Sequence, residues 1–151
     1  MAERIFFDTN VTLYCFDTRE PRKQERAKDL MAYGASSGLG IVSYQVLQEF
    51  CCVASNVRRM TLATEKIMAF ITHFLEPMNR VPASTELLAQ ALQIKEDTQY
   101  AFYDCLILAA AQQAGCTTVY SEDMQHQQTV GSVRIVNPFV DTVHSPSKIL
   151  A

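Results

Sequence analysis

The chain has 151 residues, enough for one domain with its own core, and a composition of 48% hydrophobic and 19% charged residues excludes a disordered chain. Its net charge of −3 argues against a protein that coats nucleic acid non-specifically, while leaving room for one that meets polyanions through bound divalent ions. No apolar run reaches the roughly 18–20 residues of a bilayer-spanning helix, and the N-terminus lacks the features of a signal peptide, so no membrane association is expected. The five cysteines, Cys15, Cys51, Cys52, Cys105 and Cys116, include no Cys-x-x-Cys pair and lie in or beside apolar runs. They point to a reducing, cytoplasmic setting without disulfides, with Cys51-Cys52 read as core packing.

Arg4-Ile5-Phe6-Phe7 reads as a short central strand, apolar without alternation because both faces are covered, and it ends on Asp8. Thr9-Asn10 opens a short helix through Val11, Leu13, Tyr14 and Phe16, with Thr9 as its expected cap. Helix starts just after strands are frequent ligand sites in open α/β sheets. Pro21 to Tyr33 follows as an amphipathic helix with Ala27, Leu30 and Met31 facing inward, and Pro21 suits its first turn. Arg19, Arg22, Lys23, Arg26 and Lys28 supply five of the chain's 13 basic residues. Two readings stand: a solvated face diluted by Glu20, Glu25 and Asp29, or RNA-backbone contact through Arg19, Arg22, Lys23 and Arg26. Gly38-Leu39-Gly40 leads into a second strand, Leu39–Ser43, so it is not a dinucleotide-binding turn, which would open a helix.

Ser43 is expected to cap the helix Tyr44–Ala54, whose apolar stripe is Val46, Phe50, Val53 and Val57. Glu49 lies about 40° from Val53 on the helical wheel, bordering the buried face. There it either pairs with a base or points into a polar cleft. Thr61 to Leu75 reads as a further helix with Ala63, Ile67, Phe70, Ile71 and Phe74 inward. His73 has no partner at ligand spacing and reads as a packing or surface residue. Met78 to Pro82 contains a short edge strand, and Ser84 or Thr85 caps a helix from Glu86 to Ile94 with Leu87, Leu88, Ala91 and Leu92 inside.

Tyr103 to Ala111 is a buried helix by composition, with Asp104 in its first turn and nothing else polar until Gln112. Alone, Asp104 has a structural explanation, since an acid there complements the helix dipole for about 0.3–1 kcal/mol. Gly115 stops that helix, Thr117–Tyr120 reads as a strand, and Ser121-Glu122-Asp123 forms a polar turn after it. Val133–Val136 is the last strand. Residues 1–140 are expected to form one domain, and 141–151 a mobile tail without periodicity.

Strands alternating with helices predict a three-layer α/β/α sandwich on a parallel sheet, with ligands at the carboxyl ends of the strands. Asp8 and Asp123 stand at that end, Asp104 opens the helix before the fourth strand, and Glu49 follows the second strand. Four acids therefore converge on one rim. Carboxylates about 4 Å apart repel by roughly 4 kcal/mol at an effective dielectric near 20, so such a cluster holds protons or binds a cation. Oxygen-only donors favour Mg²⁺ or Mn²⁺ over zinc, and Mg²⁺ held by few carboxylates keeps water that can attack a phosphodiester in line. Scattered His and unpaired Cys make no zinc site, and neither a Gly-x-Ser-x-Gly elbow nor a Walker loop is present.

Asp8-Thr9-Asn10, Glu49 within Gln45-Val46-Leu47-Gln48-Glu49-Phe50, Tyr103-Asp104 before an Ala-rich helix, and Ser121-Glu122-Asp123 together resemble the PIN domain. The resemblance runs from Arg4 to Phe139. The overall pattern is most similar to the bacterial VapC toxins, single-domain Mg²⁺-dependent ribonucleases paired with an antitoxin. It implies a five-stranded parallel sheet and an acidic quartet, Asp8, Glu49, Asp104 and Asp123, that coordinates Mg²⁺ and activates water. Asn10 and Ser121 would support the site by hydrogen bonds. It also implies an RNA substrate, a homodimer, and an antitoxin that blocks the cleft. Strand alternation turns Glu122 to the opposite face, so Asp123 is preferred over it.

Two other classes stand beside this reading. A PIN fold that binds RNA or protein without cleaving has no reason to keep four repelling acids. A Mg²⁺-dependent phosphatase of the haloacid-dehalogenase type also begins with an Asp at a strand end, but needs a second Asp where Asn10 stands and a catalytic Lys with no evident place.

Overall fold

The computed structural model describes residues 2–140. The chain runs β1 (Arg4–Phe7), α1 (Thr9–Tyr14), α2 (Pro21–Ser37), β2 (Gly40–Ser43), α3 (Tyr44–Ala54) and α4 (Thr64–Phe70). A π-helical turn (Ile71–Leu75) leads to α5 (Glu76–Met78), β3 (Asn79–Val81), α6 (Thr85–Thr98), α7 (Phe102–Gln113), β4 (Cys116–Tyr120), β5 (Thr129–Val130) and β6 (Val133–Val136). Ile5, Phe6 and Phe7 are wholly buried, each contributing roughly 1.5–3 kcal/mol, which makes β1 the spine of the core.

The six strands form one sheet in the order β3-β2-β1-β4-β6-β5. All neighbours are parallel except β5, which pairs antiparallel with β6. From β1 the chain steps outward through β2 to β3, then crosses back to β4 on the other side of β1. Right-handed crossovers put the helices of these two arms on opposite faces, giving the expected sandwich. The reversal also opens a crevice between the carboxyl ends of β1 and β4, where open α/β sheets bind ligands. Close packing of α2 on the sheet depends on paired glycines. A Cβ on Gly34 would lie 2.5 Å from the Phe7 ring and one on Gly40 would lie 2.8 Å from Gly34 Cα, so neither position has room for a side chain.

Several local expectations are corrected. The sheet has a sixth strand, the two-residue β5, beside the five anticipated. Asp8, not Thr9, caps α1, because Asp8 is the extended residue and its carboxylate accepts the Thr9 amide at 2.7 Å. Ser43 holds the cap position of α3, but its buried hydroxyl bonds no helix amide and finds no hydrogen-bond partner among the described residues. Ser84 caps α6 through the Leu87 amide. The single helix expected over 61–75 begins only at Thr64 and widens into the π turn. Pro77 lacks the amide that would continue an α ladder there, and the Glu76 amide reaches back to the Ile71 carbonyl. Val57, Ala63, Leu88, Leu92 and Cys52 are exposed rather than inward, and His73 is on the surface. Helix α2 runs on to Ser37 and ends at Gly38 in the left-handed conformation. The five cysteines are free. Among the described residues no helix is long and apolar enough to cross a membrane. The proposed tail, 141–151, lies outside the described residues.

Candidate active site

Register between β1 and β4 builds the floor of the site. Phe7 pairs with Tyr120, so the next residues, Asp8 and Ser121, leave the sheet side by side. The Asp8 amide donates to the Tyr120 carbonyl at 3.0 Å, and the Ser121 hydroxyl donates to Asp8 Oδ2 at 2.7 Å. Asn10 spans the crevice. Its Nδ2 donates to Asp123 Oδ2 at 3.0 Å and more weakly to Asp8 Oδ2 at 3.4 Å, while its Oδ1 accepts the Glu122 amide at 3.3 Å. The Asp123 amide donates to Ser121 Oγ at 3.2 Å. Asn10 and Ser121 thus both hydrogen-bond to the acids of the crevice.

Glu49 and Asp104 come to the same rim from α3 and from the first turn of α7. Gln45 ties the two helices together, donating to Glu49 Oε1 at 2.6 Å and to the Tyr103 carbonyl at 3.1 Å. No role was read for Gln45 in the sequence. Its signal was the i, i+4 spacing to Glu49, which puts the two on one helix face.

The acids act on one another electrostatically. Asp8 is 5% exposed, and burial pushes its carboxyl up to about 7, with Asp123 and Glu49 adding to the shift. Partial burial raises Glu49, helped by the charges of Asp104 and Asp123, and burial raises Asp104, helped by Asp123. Asp123 therefore acts on all three of the others. Yet among the described residues no three His, Cys, Asp or Glu side chains are close enough to form a coordination group as they stand. The carboxylates sense one another across a wider gap. In kind, the donor set suits a hard divalent ion, being all oxygen and net negative.

The rim opens into a cleft of about 400 Å³ lined by Asn10, Glu49, Glu122 and Asp123 with Asp17, Arg19 and Arg59 among its walls. The basic residues near α2 do not act as a set. Arg19 forks onto Asp17 at 2.9 and 3.1 Å. Lys23 binds Glu122 at 2.8 Å and lies over the Tyr14 ring, and Tyr14 donates to the same Glu122 at 2.6 Å. Glu122 does not turn to the opposite face as strand alternation suggested: it lines the same cleft as Asp123, with its carboxylate taken up by Tyr14 and Lys23. Arg22 and Arg26 line a different hollow with Glu25 and Asp29, and Arg26 Nε donates to the Pro138 carbonyl at 3.3 Å. Arg59 was passed over in the sequence because it lies between helices, in a stretch without periodicity.

A profile of the PIN domain matches residues 5–131. Among solved structures, a toxin–antitoxin complex from Klebsiella pneumoniae is similar in fold, with a TM-score of 0.60 and 17% identity over 89% of this chain and 98% of that one. No curated protein sequence matches. The profile spans β1 to β5 and takes in all four converging acids, and the chain belongs to the PIN domain family.

Proposed function

We propose that this chain is a metal-dependent endoribonuclease, the toxin of a toxin–antitoxin pair. The observation that carries this reading is the crevice beyond β1 and β4, where buried Asp8 is bridged to Asp123 through Asn10 and feels the charges of Asp123 and Glu49, while Asp104 is coupled to Glu49 and Asp123. A fold under no functional demand would not keep that much unfavourable charge at one rim. PIN domains are generally nucleases and typically use divalent ions, and the similar solved structure is a toxin–antitoxin complex.

Asp8, Glu49, Asp104 and Asp123 would hold Mg²⁺, or Mn²⁺ in its place. Bound there, the ion supplies charge neutralisation for the phosphodiester and activation of water. The chain's own part is preorganisation. The Thr9 amide and the Ser121 hydroxyl fix the two oxygens of Asp8, Asn10 links Asp8 to Asp123, and Gln45 holds Glu49. These contacts set the acids before substrate arrives, so little reorganisation remains for the reaction. The partners in this reading are RNA as substrate, a cognate antitoxin that covers the cleft, and a second copy in a homodimer; the setting is the cytoplasm.

Asp104→Asn tests it. Metal-dependent RNA cleavage should fall by about two orders of magnitude or more, with the fold intact or more stable because one repelling charge is gone. Unchanged cleavage would remove Asp104 from the site. A variant and parent that both bind RNA and never cut it would favour the non-catalytic class.

A further inference from the structure

The loop between α3 and α4 brings a cation, Arg59, to the acid cleft. The Asn56 carbonyl accepts the amides of Arg59, Met60 and Thr61 at 3.0, 3.1 and 3.1 Å, and Asn56 Oδ1 accepts the Arg58 amide at 2.9 Å. The Leu62 amide closes the loop onto the Ala54 carbonyl at 2.8 Å. Thr61 sits at φ 53°, in the left-handed region that a β-branched residue avoids, and its hydroxyl donates to the Val57 carbonyl at 2.8 Å. A backbone held against its residue's preference by this many bonds marks a shape with a use. Here the shape sets Arg59 and Met60 in the cleft wall, beside Val53 and Leu13 and in the same space as Glu49 and Asp123.

Among the described residues the Arg59 guanidinium makes no ion pair, the two that form being Arg19 with Asp17 and Lys23 with Glu122. We infer that Arg59 is the substrate-phosphate anchor of this cleft, binding a phosphate of single-stranded RNA next to the one that reacts. The inference rests on the nuclease reading. A planar guanidinium fork matches two phosphate oxygens, and an acid-floored cleft needs a cation on its wall to hold a polyanion. The apolar wall of Leu13, Val53 and Met60 beside it suits the flat face of a base. That combination of anion and apolar plane belongs to a nucleotide and not to an acidic side chain. The α2 basic residues give way in this role, because Arg19 and Lys23 already have carboxylate partners.

The test uses the full chain as parent, Arg59→Ala, Arg59→Lys and Arg134→Ala, the last an exposed control on β6. Two assays run in parallel: cleavage of bulk transfer RNA with Mg²⁺ or EDTA, and binding of a labelled single-stranded RNA over a salt series. Arg59→Ala should raise KM about 10-fold with kcat within about 2-fold, and should flatten the slope of log affinity against log salt by about 0.7. Arg59→Lys should recover part of the affinity, since it keeps the charge and loses the fork; Arg134→Ala should match the parent. A parent that cuts, with Arg59→Ala keeping its KM and salt slope, overturns the anchor and leaves the nuclease standing. A parent that neither cuts nor binds overturns both. If Arg59→Ala keeps RNA affinity but loses binding to a poly-glutamate probe, the anion is a protein carboxylate and the RNA assignment falls.

Discussion

The two flanks of the acid cleft carry similar positive charge and commit it differently. On the α2 flank, Arg19 is forked onto Asp17 and holds that carboxyl below its ordinary range, while Lys23 is shared between Glu122 and the Tyr14 ring. On the flank formed by the α3–α4 loop, a strained turn presents Arg59 with no ion pair among the described residues. Density of basic residues in a sequence therefore measures potential contacts, and the nearest carboxylate decides which remain available. The cluster Arg19–Lys28 drew attention as a possible RNA surface, whereas the flank with available charge is marked by one Asn, one left-handed Thr and an isolated Arg-Arg pair.

The largest expected effect lies between the flanks, at Asp8. Its folded pKa, about 7, exceeds its ordinary 3.8, so folding takes up a proton between those values and stability falls as pH rises through them. In metal-free buffer, Asp8→Asn should therefore be more stable than the parent at pH 8, by on the order of 4 kcal/mol, with the gain fading toward pH 4. Urea denaturation at both pH values measures this. A gain independent of pH would show that charge at Asp8 is not its source.

The flanks themselves can be set against each other. Arg59→Ala should weaken RNA binding about 10-fold, near the 1.4 kcal/mol of one charge-assisted hydrogen bond, while Arg19→Ala should change it less than about 2-fold. Equal losses would erase the contrast. A smaller and opposite effect is expected from Glu122→Gln, which frees Lys23. RNA affinity should rise by about 3-fold with a salt slope steeper by about 0.7, at a stability cost within about 1 kcal/mol because the pair is part exposed. If affinity falls instead, Glu122 positions something in the cleft that the Lys23 pair does not account for.

What could be read from the sequence depended on whether the signal was local. The strands β1, β2, β4 and β6 are short apolar runs ending at polar residues, so their existence and the rim they share were legible. The four acids were legible for the same reason, each standing where an element starts or ends or on the border of a buried face. Strand β5 was not, because two residues define a strand only through their partners on β6. Leu88 and Leu92 extend the apolar surface of α6 beyond the face that packs, and tertiary contact alone selects Leu87, Ala91 and Ile94 as the buried set. The choice of Asp8 over Thr9 as cap turned on backbone angles that either residue could adopt. Lys23 and Glu122 are 99 positions apart, and no local pattern couples them.

The proposed function requires the four acids to work together as a metal-dependent nuclease site. Its most direct test is cleavage of an RNA panel, transfer RNAs included, in Mg²⁺, Mn²⁺ or EDTA, with Asp8→Ala purified identically alongside. Discrete cuts that require the divalent ion and vanish in the variant are expected. Cleavage that persists in EDTA or in Asp8→Ala, or a parent that neither cuts RNA nor binds Mg²⁺ or Mn²⁺ by calorimetry, would contradict it.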